Sequence, residues 1–452
     1  MKKKNTVIFL LLPLITLLVL AFSYLWSQSF IDITCISPKP CAQISQSGRI
    51  QFEFNLSVDA SRIESLWEIF PMADGNWEWL DDRHAVWSPK DLLPTEQTFT
   101  AQFNQGIAGS KGQKIKETIR WDIEVRRPRI LAVGSTANGN ELFSISLDGS
   151  GEIAQITETN GKLQDFTPSP DGESILLSIE NSRLGMNLWL INRAGKDDNL
   201  LLECGADRCR TPAWSPVMNQ VAYTREIFSV ENDTWEAARV YILDLLTGQT
   251  APVINKSGIT GSNPAFSPDG SWISFWNEAS GGIELVNPLS GDTFQLKTSS
   301  GTVGCWSPDG HYYFYSDLLI SPSDFQSVVF RADTASQSIA TILEGDQEAL
   351  SIGIPVCNPL YSELAAVVQS NIRIAGRELM IFDLDKNERI SVSSDLSRIP
   401  LHYSWSPDGD QLVFQLNQLG GDERDTQILL WDRTAGTSSL IGAGLKFPRW
   451  LP

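Results

Sequence analysis

The 452-residue chain holds 35 Lys and Arg against 54 Asp and Glu, a formal net charge of −19, and so lacks the clustered cations that phosphate binding needs; nucleic acid is excluded as a partner. With 42% apolar and 20% charged residues it is neither disordered nor fibrous, and its length suggests about three domains at roughly 150 residues each. Six cysteines are too few for a disulfide-built scaffold and three histidines leave little material for zinc sites, so the cores come from apolar packing.

After Lys2, Lys3 and Lys4, residues 6–25 carry no charge and are dominated by Leu, Ile, Val and Phe. That run can cross a hydrocarbon core of about 30 Å. Residues 1–26 therefore read as a cytoplasmic stub and a transmembrane signal-anchor, with Tyr24 and Trp26 in the outer interfacial belt and the rest of the chain extracytoplasmic. A cleaved signal peptide is the competing reading; Ala21-Phe22-Ser23 matches a cleavage site poorly, and the run exceeds the roughly 7 to 15 residues of an h-region. The exported part has 32 basic and 54 acidic residues, a charge of −22, and should repel anionic surfaces. An oxidising exterior makes Cys35 with Cys41, and Cys204 with Cys209, candidate disulfides, with four unpaired thiols as the alternative. Cys305 and Cys357 lie in apolar strand patterns and read as buried small hydrophobes.

Residues 27–128 show short alternating strands: Ile50, Phe52 and Phe54 share one face, followed by Trp77 and Trp79, then Phe99, Ala101 and Phe103, then Ile119, Trp121, Ile123 and Val125. Period two with turn clusters between predicts a half-buried β sandwich. Ala85-Val86-Trp87-Ser88-Pro89, Leu92-Leu93-Pro94 and Thr98-Phe99-Thr100 resemble the bacterial Ig-like family of surface proteins, which implies a spacer or adhesive stalk. The Trp cluster reads as core rather than as a sugar platform, because Trp is mostly buried in small sandwiches.

From residue 129 the chain repeats itself. Phe166-Thr167-Pro168-Ser169-Pro170-Asp171-Gly172 recurs as Trp214-Ser215-Pro216, Phe266-Ser267-Pro268-Asp269-Gly270, Trp306-Ser307-Pro308-Asp309-Gly310 and Trp405-Ser406-Pro407-Asp408-Gly409. A degraded copy is Val356-Cys357-Asn358-Pro359, and Phe447-Pro448-Arg449-Trp450-Leu451-Pro452 ends the chain. The aligned prolines are separated by 46, 52, 40, 51, 48 and 45 residues, and a period in the forties with several strands per unit indicates a β-propeller. Ser, Pro, Asp and Gly in that order match a type I turn joining an inner strand A to strand B. The aromatic before Ser-Pro should pack between neighbouring blades. Seven A strands and seven B, C and D sets give seven four-stranded blades, provided the 447–451 strand pairs into the blade begun at Ile130 and so removes the open edge.

Over these roughly 320 residues the chain resembles the TolB-like and WD40-like (PD40) propeller-repeat family, in which W-S-P-D-G marks the innermost strand. Six-bladed members make six the alternative count. Val217-Met218-Asn219 and Asn358 with Leu360-Tyr361-Ser362 depart from the pattern, so those turns should differ in shape.

Because the Ser-Pro-Asp-Gly turns are short and uniform, variety lies in the B to C loops of the opposite face, residues 225–239, 316–327 and 415–426. That face and the central opening are the expected binding region, with Trp235 and Phe325 as apolar contacts and Arg183, Asp422 and Arg424 as polar ones; solvated loops of no special role are the alternative. Asp383-Leu384-Asp385-Lys386-Asn387-Glu388 superficially alternates oxygens like a calcium loop but lacks its central Gly and distal Glu, so it reads as an ordinary C to D turn and no metal or cofactor is expected. His84, His311 and His402 are isolated in sequence.

No G-x-S-x-G, H-E-x-x-H or P-loop is present, and the expectation is a chain that is not an enzyme. The expected function is that of a membrane-anchored extracytoplasmic binding protein contacting a protein, peptide or envelope polymer. A glycan lyase or hydrolase with acidic residues at the ring centre, and a structural part of an envelope assembly, are the alternatives.

Overall fold

The structure, a computed structural model, describes residues 30–217, 219–255, 258–320, 325–344, 351–369, 376–421 and 425–452. It divides into two compact units, Met1–Arg127 and Pro128–Pro452. Among the described residues no helix is long and apolar enough to cross a membrane. The apolar run of residues 6–25, read as the anchor, lies outside them.

In the first unit, alternation places every second side chain on a shared inner face. One four-stranded sheet runs in the order Ile33–Ser37, Ile50–Phe54, His84–Pro89, Gly75–Trp79; the other runs Gln43–Ile44, Ile119–Val125, Thr98–Phe103, Trp67–Phe70. Phe52 and Phe54 from the first sheet and Phe103 from the second are fully buried in one core. Trp67 and Trp77 pack against Phe103, their ring centroids 4.9 and 6.0 Å from its own, so these indoles are part of the packing. The single described helix, Ala60–Leu66, is capped by the Asp59 carboxylate accepting from the Arg62 N–H.

The second unit is a succession of four-stranded antiparallel sheets, each built from consecutive strands A to D. The first is Leu163–Pro168, Ser174–Glu180, Met186–Asn192, Asn199–Leu202; a single bridge at Met186 and Arg208 joins it to the second, Arg208–Trp214, Gln220–Glu226, Arg239–Asp244, Thr250–Pro252. The third, fourth and sixth sheets begin at Ser262–Phe266, Cys305–Trp306 and Arg398–Trp405; the fifth has five strands, its inner strand being broken into Ser351–Ile352 and Val356–Cys357, both paired with Glu363–Gln369. In the closing sheet the carboxyl-terminal strand Leu445–Leu451 pairs antiparallel with Arg129–Thr136, Trp450 opposite Ile130, and the order continues through Gly139–Ile145 to Ile153–Gln155. Trp450 is 5% exposed, and that pairing gives Arg129–Thr136 a partner on both sides, so the first strand of the unit has no free edge. This is a β-propeller.

The repeated turn works as its residues dictate. In each Ser-Pro-Asp-Gly copy the Gly N–H donates to the Ser carbonyl at 2.8 to 2.9 Å, and the Asp carboxylate accepts from the Ser hydroxyl. The aromatic ahead of the turn ties one sheet to the previous one. Nε1 of Trp214, Trp405 and Trp450 donates to the carbonyls of Thr167, Val356 and Ser404 at 3.2, 3.1 and 3.0 Å. In the fifth copy Asn358 is fully buried, accepts from the Leu360 and Tyr361 N–H groups, and donates to the Gly409 carbonyl of the next sheet.

Two expectations need correction. Residues 316–327 are less a loop than the extension of a hairpin, because strand B runs to Ile320 and strand C starts at Phe325. Cys305 and Cys357 are not free hydrophobes: they form a disulfide between the inner strands of the fourth and fifth sheets. The two stand one repeat apart in sequence, and closing the ring sets their strands side by side. Cys35–Cys41 and Cys204–Cys209 are also disulfide-bonded.

Candidate functional site

The inner strands share an irregularity. In five of them the A–B register shifts at corresponding places, between Leu163 and Asp165, Arg210 and Ala213, Ser262 and Ala265, Leu401 and Tyr403, and Lys446 and Arg449. Four of these bulges hold a non-glycine residue in the left-handed region: Thr211 at φ 47°, Asn263 at 54°, His402 at 42° and Phe447 at 55°. Each stands five residues ahead of the proline that ends its repeat motif. A non-glycine residue pays roughly 1–2 kcal/mol for that conformation, and a bulge re-aims the side chain it carries. Asn263, His402 and Phe447 are exposed even though they lie on the innermost strands. In a propeller those strands surround the central opening, so solvent reaches these three side chains at the ring centre.

His402 and Phe447, from the sixth and closing sheets, meet edge to face with centroids 4.5 Å apart. Although solvent reaches part of His402, desolvation by the surrounding ring, and after it the nearby Arg449 guanidinium, push the imidazole below its usual range. Neither of its ring nitrogens has a hydrogen-bond partner among the described residues. Arg449 itself reaches the first sheet, donating to Asp165 Oδ1 at 3.1 Å and to the Phe166 carbonyl and lying over the Phe166 ring. Three sheets thus contribute to one cluster.

A second group stands on the B to C side of the second sheet. Residues 227–236 contain a small hairpin in which Phe228–Ser229 pairs with Thr234–Trp235. Trp235 is its anchor: the indole N–H donates to the Ala206 carbonyl at 2.9 Å, Phe228 packs on it at 5.3 Å, and the Arg208 guanidinium lies 3.3 Å from its ring centroid. Asp207 holds the hairpin base, accepting from Arg225 at 2.7 Å and from the Phe228 N–H at 2.9 Å, inside the turn closed by Cys204–Cys209. What the hairpin presents outward is Val230, 85% exposed.

Of the residues singled out from sequence, Arg183 and Trp235 come to the same turn. Arg183 is exposed on the 181–185 loop, where its N–H donates to Asn181 Oδ1; Arg208, stacked on Trp235, reaches the Leu184 carbonyl. Phe325 opens strand C of the fourth sheet, opposite Ile320. Asp422 and Arg424 lie outside the described residues. Asp383 is engaged within its turn, accepting from the Asp385 and Lys386 N–H groups and pairing with Lys386 Nζ at 2.6 Å. Sequence reading missed Asn263 and Phe447 and took His402 as an isolated histidine, whereas it lies within the inner strand Arg398–Trp405. The one available signal was the constant five-residue spacing.

No protein-family model matches the chain. Solved structures similar to it include TolB from Acinetobacter baumannii, 16% identical over 72% of this chain and 82% of that one, with a TM-score of 0.40. An oligogalacturonate lyase from Vibrio parahaemolyticus is 15% identical over 64% and 82%, at 0.49. The tricorn protease is 12% identical over 92% of this chain and 49% of that one, at 0.47. Two of these three are enzymes, so the expectation that this chain is not an enzyme is withdrawn. It rested on missing contiguous motifs, and a ring that gathers side chains from separate sheets needs none. The sheet order makes the second unit a β-propeller, and in fold it is similar to TolB.

Proposed function

We propose that this is an extracytoplasmic binding protein, tethered by residues 6–25 and held out by an Ig-like spacer, whose seven-bladed propeller takes a segment of a partner protein at its ring centre and B to C face. The observation that carries the reading is the row of left-handed Asn263, His402 and Phe447: exposed polar and aromatic side chains kept on strained inner-strand backbone. A hairpin that is rigid at its base and apolar at its tip adds a second contact region. All six cysteines are paired, which fits an oxidising compartment. The charge of −22 beyond residue 26 supports a protein or neutral polymer over a polyanion.

Site-specific photo-crosslinking tests this, with the crosslinker placed at Phe447, at Val230, and at Leu289 on the opposite, turn-bearing face. A partner captured at 447 and 230 but not at 289 is the expected result; capture at 289 alone overturns it. The same cluster gives a second reading, an enzyme acting on an envelope glycan, favoured by an imidazole of lowered basicity, without a hydrogen-bond partner among the described residues, near Arg449, which in turn pairs with Asp165. Under that reading His402→Ala abolishes turnover while leaving the fold intact.

A further inference from the structure

Away from the ring centre a cleft opens between the closing sheet and the first sheet. The outer strand Ile153–Gln155 pairs only with residues 143–145, and the connection beyond it is drawn aside by Glu141. That carboxylate, 2% exposed, accepts from Thr157 Oγ1 at 2.7 Å, the Thr159 N–H at 2.9 Å and the Gly161 N–H at 3.0 Å. The facing wall of the first sheet is left open beside a cavity of about 640 Å³. One end is sealed where the 194–196 turn meets Ile156: Gly195 has φ +75°, and a Cβ there would stand 2.0 Å from the Ile156 carbonyl oxygen.

The wall is apolar, with Leu177 and Ile191 buried and Ile179 and Trp189 half-buried. Among the described residues nothing accepts from the Trp189 indole N–H. The rim carries Glu158, Lys196 and Asp198, all exposed, whose side chains have no hydrogen bond or ion pair among the described residues. A flat aromatic and aliphatic wall fringed by free donors and free acceptors complements a molecule with a flat C–H face and hydroxyls that donate and accept at once. An anionic ligand would meet two rim carboxylates, a cationic one would meet Lys196, and the chain's charge of −19 opposes polyanions at longer range. We propose that this cleft binds a neutral saccharide stacked on Trp189, with its hydroxyls shared among Glu158, Lys196 and Asp198. The site is separate from the ring centre, and its failure would leave the loop-face reading untouched.

Titration calorimetry of the full chain with maltotriose and chitotriose, and with tri-galacturonate as the anionic arm, tests it. At least one neutral trisaccharide should bind with a Kd on the order of 0.1–1 mM, and tri-galacturonate about tenfold more weakly. Trp189→Ala should raise Kd at least about tenfold. Glu158→Gln and Lys196→Ala change exposed side chains that hold nothing in the fold, so they test the site even where Trp189→Ala folds poorly; each should weaken binding by roughly three- to tenfold. No neutral trisaccharide binding at about 10 mM ligand, a Kd unmoved by the Glu158→Gln/Lys196→Ala pair, or tighter binding of tri-galacturonate would each overturn the proposal.

Discussion

Cys305 and Cys357 join two inner strands of the propeller whose pairing is short or interrupted, and removing the bond should be costly. Cys305–Trp306 is two residues long and the fifth sheet's inner strand is broken into two-residue pieces, Ser351–Ile352 and Val356–Cys357, whereas the inner strands of the first, second, sixth and closing sheets are six to eight residues long. Their ladders contribute correspondingly few hydrogen bonds to hold the ring at this point. The disulfide closes a loop with a sequence separation of 52. Loop-closure entropy for that length amounts to about 4 kcal/mol at 25 °C, against about 2 kcal/mol for the separation of 5 at Cys204–Cys209. Guanidinium unfolding of the Cys305→Ala/Cys357→Ala double variant, followed by tryptophan fluorescence without reductant, measures the difference. The propeller transition should move to lower denaturant by the equivalent of about 4 kcal/mol, roughly twice the loss in the matching Cys204/Cys209 variant. A loss below about 1 kcal/mol, or one no larger than that of the short-loop variant, would refute the argument that this bond acts by constraining a long unfolded loop.

Trp450→Ala should destabilise the propeller by about 3–5 kcal/mol in the same unfolding assay, because it empties a buried site and removes the indole bond to the Ser404 carbonyl. Glu141→Ala should cost about 3 kcal/mol by orphaning the Thr157, Thr159 and Gly161 donors. Burial raises the Glu141 pKa, but the hydrogen bonds outweigh it and the net shift is downward from 4.5; its contribution is therefore complete above that value and lost as pH falls below it, so wild type but not Glu141→Ala should lose this increment in acid melts. Arg433→Met should cost about 3 kcal/mol by stranding the buried Glu363 carboxylate, which Arg433 now contacts at 2.9 and 2.6 Å. Trp235→Ala should leave global unfolding nearly unchanged yet open residues 227–236 to limited proteolysis, since the indole fixes that hairpin locally.

Periodicity and turn chemistry made the propeller legible. A Ser-Pro-Asp-Gly turn uses the same few atoms each time, so its residues recur and can be aligned by eye. Ring closure followed from counting strands, because an unpaired A strand at one end and an orphan B strand at the other have one mutual solution. The Cys305–Cys357 bond was hidden by its separation of 52 residues, and becomes visible only once adjacent inner strands are known to be neighbours. Trp235 was read as a contact because aromatic residues on long loops so often are; the structure uses its ring to hold the loop and leaves Val230 outward.

The bulges show why the centre of such a ring resists sequence reading. What recurs there is a backbone state, and Thr211, Asn263, His402 and Phe447 share neither size nor side-chain chemistry. A turn constrains which residues can form it, whereas a bulge held by flanking ladders on both sides tolerates many and pays for them with tertiary packing. The side chains so aimed are then free to differ between sheets, which is what an asymmetric ligand on a quasi-symmetric ring requires. His402 and Phe447 sit at equivalent positions of neighbouring sheets yet meet as a polar and an apolar ring, with Arg449 from Phe447's own strand and Asp165 from a strand far away in sequence completing the group. Chemistry assembled in this way leaves no contiguous motif, so binding and catalytic propellers look alike along the chain and differ only in what the inner strands turn toward the axis.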